Sequence, residues 1–288
     1  MFLIPAKAGI HLFHILTSSW IAAFAGMINF YGCIICLRFN FIFVIIKNHK
    51  NIMSEKLLYE GKAKKIFSTD DADIVRVAYK NDTTAFNGEK FEQLEGKGQL
   101  NNEITSFFFD YLAEQGIESH FVRKISDTEQ LVKRVEIVPL EVVTRNIAAG
   151  SLSKRLGWEE GRKLPEPIVE FYYKDDDLGD PLLADVHIQT LGLATDEELN
   201  ELRRRALAVN DSLLKLLTPR GLLLVDFKLE FGRDSSGNFM LADEISPDTC
   251  RFWDAETHKK MDKDRFRRGL GGVTEAYAEV FKRITANS

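Results

Sequence analysis

The stretch Leu222–Ser246, LLLVDFKLEFGRDSSGNFMLADEIS, constrains this chain most, because it sets charged side chains into what otherwise reads as a buried sheet. Its first half alternates with a period of two. That places Leu223, Val225, Phe227, Leu229 and Phe231 on one face and Asp226, Lys228 and Glu230 on the other. The apolar face predicts core; the charged face predicts either chemistry or solvent. Residues 233–238 form a turn signal, and Phe239–Ile245 reads as the returning strand of a hairpin. A loop centred near Ser235 and Ser236 brings Glu230 and Asp243 nearly opposite each other, where two carboxylates repel unless a cation lies between them. Magnesium fits that pair, since it is commonly held by one or two carboxylates plus substrate phosphates. The alternative is an edge hairpin whose polar face is merely wet.

Upstream, Leu57–Gly61 and Lys62–Ser68 read as two short strands meeting at a glycine, with Asp73–Tyr79 as a third. A glycine turn lets backbone amides approach an anion closely, and Lys62 and Lys64 add point charges beside Gly61. The pattern G-x-x-x-x-G-K-[ST] is absent, so this is no Walker A loop. Its layout is nearer the kinase arrangement, in which a glycine-rich hairpin covers the phosphates. A solvated lysine run is the plainer alternative. Gly98–Gly116 reads as a helix with an apolar stripe through Ile104, Phe108 and Leu112. Leu131–Val143 reads as a strand interrupted at Pro139, a place where two lobes can be joined.

The run RNIAAGS at 145–151 precedes a short helical segment and suits an anion at a helix N-terminus. Arg145 would add a bidentate grip and Ser151 a hydroxyl. A helix cap with Arg145 paired to a surface acid explains the run equally well. The acidic triplet Asp175–Asp177 reads as a solvated loop. Thr195–Glu198 is a capping box, opening a helix whose apolar face runs through Leu199, Leu202, Ala206, Val209, Leu213 and Leu216. Beyond the hairpin, SPDTCR at 246–251 places Asp248 and Arg251 just past the strand that carries Asp243. Lys263 and Arg267 stand four apart, a spacing that lets them share a helix face and clamp a phosphate. A closing amphipathic helix runs through Ala276, Val280 and Ile284.

A chain of 288 residues, 45% hydrophobic and 28% charged, is globular and allows one large or two ordinary domains. Its charge is uneven. Residues 1–52 hold Lys7, Arg38, Lys47 and Lys50 with no acid, so this segment carries +4 and leaves −9 of the net −5 to residues 53–288. An acidic body argues against a nucleic-acid partner, while a local cluster of Lys and Arg can still hold small anions. The cysteines, Cys33, Cys36 and Cys250, do not make a disulfide framework; Cys250 reads as a structural thiol. His120, His187 and His258 show no ligand spacing. The run from His11 to Phe43 is long enough to cross a bilayer, which makes a membrane anchor one reading of residues 1–52. The abrupt change of composition at Met53 favours the other, an over-extended start with Met53 as the functional first residue.

Three stretches, GKAKK at 61–65, VPLEVVTRNIAAGS at 138–151 and VDFKLEFG at 225–232, together resemble the phosphoribosylaminoimidazole-succinocarboxamide synthase (SAICAR synthetase) family of purine biosynthesis. The likeness extends to SPDTCRFWD at 246–254 and MDKDRFR at 261–267, and covers Met53–Ile284 in order. It implies a cytoplasmic ATP-dependent ligase that joins L-aspartate to the carboxylate of carboxyaminoimidazole ribonucleotide (CAIR). The implied fold is α+β and two-lobed, of ATP-grasp or kinase-like kind. An antiparallel-sheet ATP-binding lobe at 53–137 faces a larger α+β lobe at 138–288, with the nucleotide between them. Residues 1–52 have no counterpart in the family.

As the family pattern falls on this sequence, Gly61, Lys62 and Lys64 hold the ATP phosphates and Glu230 and Asp243 hold Mg2+. Arg145, Ser151 and Arg251 bind CAIR, Lys263 and Arg267 take its phosphate end, and Lys228 and Asp226 line the join between the two substrates. The partners implied are small molecules only, with no nucleic acid and no membrane for residues 53–288; a homo-oligomer is compatible. A kinase-like phosphotransferase is the first rival, against which no H-R-D-x-x-x-x-N or D-F-G occurs, Asp226 and Phe227 being followed by Lys228. A membrane-tethered, non-catalytic nucleotide-binding protein is the second.

Overall fold

The structure, a computed structural model, describes residues 56–85 and 88–286. The apolar segment 1–52, with Cys33 and Cys36, and the start at Met53 lie outside the described residues. Strands β1 (Leu57–Glu60), β2 (Lys64–Ser68) and β3 (Ile74–Tyr79) form where the glycine-separated runs predict them. After a small hairpin, β4 (Asp82–Ala85) and β5 (Lys90–Gln93), the chain adds β6 (Phe121–Lys124) and β7 (Glu129–Lys133). The result is a five-stranded sheet ordered β1-β2-β3-β7-β6, antiparallel throughout. Alternation along β3 turns Val75, Val77 and Tyr79 inward against Val132, forming a small core of their own.

A second antiparallel sheet is built from β8 (Glu136–Ile147), β9 (Lys163–Tyr173), β10 (Leu182–Leu183), β11 (Leu222–Arg233), β12 (Phe239–Ala242) and β13 (Cys250–Asp254). Its order is β10-β9-β8-β11-β12, with β13 also on β11. β8 therefore lies along one edge of β11, while β13 and β12 share the other.

Helices cover this sheet. α1 (Lys97–Glu114), α2 (Gly150–Leu156), α3 (Asp185–Thr190), α4 (Asp196–Leu217), α5 (Asp264–Arg267) and α6 (Val273–Thr285) follow in chain order. α4 opens with both bonds of the expected capping box: Glu198 N–H donates to Thr195 Oγ1 at 3.3 Å, and Thr195 N–H to Glu198 Oε2 at 2.9 Å. All six apolar residues of its predicted face are buried, each large side chain contributing about 1.5–3 kcal/mol. α1 precedes the second sheet in sequence, yet Ile104, Phe108, Phe109 and Leu112 join the main core beneath that sheet. Among the described residues no helix is long and apolar enough to cross a membrane.

Three local expectations are corrected. First, β11 does not alternate in a single phase. Phe227, Leu229 and Phe231 enter the main core, but Leu222 and Leu224 accompany them, and Leu223 and Val225 pack instead with Trp253. The register against β13 shifts between Leu224 and Asp226, and a bulge places two successive residues on one side, inverting the alternation. Second, the chain breaks between β7 and β8 at residues 134–135, and Pro139 lies within β8. Proline is accepted there because the β8–β11 register is irregular around it, so no regular ladder bond is lost. Third, β12 ends at Ala242, which is the residue that pairs with Glu230; Asp243 stands one position beyond.

Candidate active site

The two sheets flank a cavity of about 890 Å³. Every site residue expected from the sequence lines it: Gly61, Lys62 and Lys64 from the first sheet; Arg145, Ser151, Asp226, Lys228, Glu230, Asp243, Arg251, Lys263 and Arg267 from the rest of the chain. At one end Ile66, Val75, Val77 and Val132 make an apolar slot, walled by the linking residues Arg134 and Val135 and by Lys133 and Ile137 of the strands they join. The opposite end is dominated by arginines.

Between these ends lies a compact set of lysines and carboxylates. Asp243 follows the last residue of β12 with φ 59°, a left-handed conformation that Asp tolerates better than most side chains. That single residue re-aims the chain and brings its carboxylate onto the Lys64 ammonium, which also reaches Glu244 at 3.0 Å. Lys228 reaches Glu141 at 2.6 Å and Glu230 at 3.3 Å, and Lys174 reaches Glu230 at 2.7 Å. Burial opposes charge on Lys64, Lys174, Lys228 and Asp243, but their partners prevail. Asp243 is held at about 2 by Lys64, Lys228 and Lys174, and Lys64, Lys228 and Lys174 are all raised by the acids beside them. No group of three or more His, Cys, Asp or Glu among the described residues is placed to hold a metal alone.

At the arginine end Asp226 is the hub. Its Oδ2 accepts from Arg145 Nη1 at 2.8 Å and from Arg251 Nη1 at 2.9 Å, and Arg251 Nε donates to Asp264 at 3.0 Å. Arg145 is only 3% exposed and also donates to Glu170 at 2.7 Å, and to Ser151 Oγ and the Tyr172 hydroxyl at 3.0 Å each. Its guanidinium is largely saturated by protein groups, and its acids, buried Asp226 and half-buried Glu170, are not surface partners. Ser151 is not a helix cap: α2 starts at Gly150 after Ala149, without a side-chain cap.

Other participants escaped the sequence reading. Glu141 and Arg145 share one face of β8 by simple alternation, a signal that was available. Lys174 and Glu244 gave no local sign. Asp176, from the acidic triplet, reaches across to Lys62 at 2.6 Å, an exposed pair of little energetic consequence. Cys250 is buried, and burial pushes its thiol up, away from nucleophilic use. His120 lines the cavity yet is 6% exposed, and burial lowers it to about 4, so that it is neutral at pH 7.

Asp262 is fully buried beneath the arginines; one oxygen accepts from the Asp264 N–H at 2.7 Å and the other has no partner. Burial, with the Asp264 charge, pushes it up to about 7. A folded value above the unfolded one means stability fully present below pH 4 and lost as pH rises through 7. Asp262→Asn should therefore stabilise the protein at pH 8 by about 2 kcal/mol and leave it nearly unchanged at pH 4. Denaturant titrations at the two pH values measure this, and an equal difference at both contradicts it.

The chain matches the family described as SAICAR synthetase over residues 57–284. It is 58% identical over 232 residues to the phosphoribosylaminoimidazole-succinocarboxamide synthase of Listeria innocua, covering 81% of this chain and 98% of that one. The crystal structure of phosphoribosylaminoimidazole-succinocarboxamide synthase from Ehrlichia chaffeensis has a TM-score of 0.78 at 45% identity, covering 81% of this chain and 100% of that one. A SAICAR synthetase in complex with ADP has a TM-score of 0.77 at 49% identity, covering 80% and 98%. Sequence likeness, backbone likeness and a cleft assembled from the motif residues agree: the chain belongs to the SAICAR synthetase family.

Proposed function

We propose that the cleft is the active site of an ATP-dependent ligase of purine biosynthesis, which condenses CAIR with L-aspartate to give SAICAR, ADP and phosphate. The observation that carries this reading is the cavity's lining, an apolar slot, a lysine and carboxylate centre and an arginine end, set in that order by the β8–β11 register from Ile137 through Glu141 to Arg145. A purine ring suits the slot, the triphosphate suits Gly61, Lys62 and Lys64, and an anionic ribonucleotide suits the arginines. We assign residues 53–137 to the ATP-binding lobe and 138–288 to the lobe that binds CAIR, and place the enzyme in the cytoplasm with its soluble substrates.

Amide formation from a carboxylate needs a better leaving group than oxide. Transfer of the γ-phosphoryl group to a CAIR carboxylate oxygen releases ADP and leaves an acyl phosphate. The aspartate amine then attacks the acyl carbon, the C–O bond breaks, phosphate departs with the electron pair, and the amine gives up a proton. Lys64 and Lys228, held cationic by their acids, lie where the two anions meet and reduce their repulsion. Asp226 fixes Arg251, and Arg145 acts chiefly by holding Asp226 and Ser151 in place. Lys263 and Arg267 face the ribonucleotide phosphate. The protein's contribution is positioning and electrostatics, with no covalent enzyme intermediate.

Magnesium fits the donor set. Glu230 and Asp243 offer hard carboxylate oxygens from neighbouring positions, Glu230 being paired with Ala242 just before Asp243; both are here engaged by lysines, and a two-carboxylate site suits an ion shared with phosphates. Bound there, it would supply charge neutralisation as phosphoryl transfer proceeds. Glu230→Gln should raise the magnesium concentration for half-maximal rate roughly tenfold without altering the fold; an unchanged magnesium titration removes Glu230 from the metal site.

The deciding assay uses purified protein with ATP, magnesium, CAIR and aspartate, omitting each in turn. Sustained ADP release over many turnovers should require both CAIR and aspartate. Full-rate ADP release without aspartate, with a phosphorylated product accumulating, would instead identify a phosphotransferase.

A further inference from the structure

Lys97 opens α1 and is 0% exposed, although burying an ammonium is costly unless it is paired. Its Nζ donates to Asp248 Oδ2 at 2.5 Å and to the Asp82 carbonyl at 3.2 Å. The other oxygen of Asp248 accepts from the Tyr277 hydroxyl at 2.7 Å, and Tyr277 in α6 is also 0% exposed. Two buried donors, from helices far apart in sequence, thus hold one carboxylate that lines the cleft. Burial alone would raise Asp248, but Lys97 and Lys263 together hold it well below the usual carboxylate range.

The anchor is rigid on both sides. Gly98 N–H donates to Asn81 Oδ1 at 2.9 Å, and a Cβ there would stand 2.9 Å from the Tyr79 carbonyl oxygen, so the start of α1 is locked against the end of β3. On the cleft side, Asp248 N–H donates to Ser246 Oγ at 3.1 Å, and Ser246 Oγ donates to Glu244 at 2.7 Å. Glu244 in turn meets Lys64. A carboxylate has about four acceptor positions, so two on Asp248 remain after Lys97 and Tyr277 are satisfied.

We infer that Lys97 and Tyr277 are positioning residues for the substrate end of the cleft: they hold the Asp248 carboxylate, and with it the Ser246–Arg251 turn, in the geometry that receives the ribonucleotide. The inference rests on the ligase reading for the identity of that ribonucleotide. Neither residue touches substrate; both act through Asp248.

Lys97→Met leaves a buried carboxylate without its cation and threatens folding itself, so Tyr277→Phe, which removes one hydroxyl and keeps the ring, is the primary variant. Its KM for CAIR should rise about tenfold, with KM for ATP and for aspartate unchanged and Tm close to wild type. Calorimetric titration with CAIR should show the same loss of affinity. Equal CAIR affinity in wild type and Tyr277→Phe, or a matching loss for ATP, overturns the inference. Wild-type protein that binds CAIR but makes no SAICAR sinks the ligase reading, and the positioning claim is then decided by the variant's CAIR affinity. Wild-type protein that does not bind CAIR overturns both.

Discussion

Asp226→Asn is expected to lower folding stability by about 4 kcal/mol and to abolish most turnover. Asp226 is 3% exposed and receives hydrogen bonds from two guanidinium groups, Arg145 and Arg251. An amide of the same shape removes the charge and turns a donor toward one of those donors, whichever way it is rotated. Glu170 and Asp264 keep each arginine from being wholly unpaired, so the domain should still fold. Urea titration gives the stability change, and a loss under about 1 kcal/mol would show that the hub is dispensable. The same variant should lose CAIR affinity before ATP affinity, because Arg251 loses the carboxylate that orients it.

Gly150→Ala is expected to cut kcat/KM for CAIR about 100-fold, the scale on which an ångström-sized misplacement acts. Gly150 has φ 54°, and a Cβ on it would stand 2.5 Å from Arg251 Nη2 and 2.8 Å from Arg251 Cζ. The guanidinium cannot simply swing aside, since Asp226 and Asp264 hold it. Alanine also adds roughly 1–2 kcal/mol of left-handed backbone strain. Steady-state kinetics with ATP and CAIR varied separately test this, and unchanged use of CAIR would mean that Arg251 has room to move. Gly232, in β11, is also closely approached: a Cβ there would stand 2.4 Å from Val135 in the link between β7 and β8.

Much of this molecule was legible before its fold was known. The strands around Gly61, the capping box at Thr195, the apolar face of α4 and the closing helix all follow from periodicity and cap chemistry, which act within a few residues. The residues proposed for the site stood out as motifs, and all of them line one cavity. The details that failed share a cause. The phase change in β11 depends on its pairing with β13, the place of Pro139 depends on an irregularity opposite β11, and the aim of Asp243 depends on a left-handed residue at the end of β12.

By itself, the sequence determined where β1–β3, the β11–β12 hairpin, α1, α4 and α6 form, the apolar faces of those helices, and which charged side chains stand apart from that pattern. Only the tertiary structure decided what each charge does. Arg145 reads equally well as an anion ligand or a surface pair, and becomes a buried brace only when Asp226 and Glu170 surround it. Lys97 looks like any solvent-facing lysine until it meets Asp248, 151 positions away. Local periodicity is written in neighbouring residues, whereas the energy of a charge is set by desolvation and by partners that only the folded chain brings within a few ångströms.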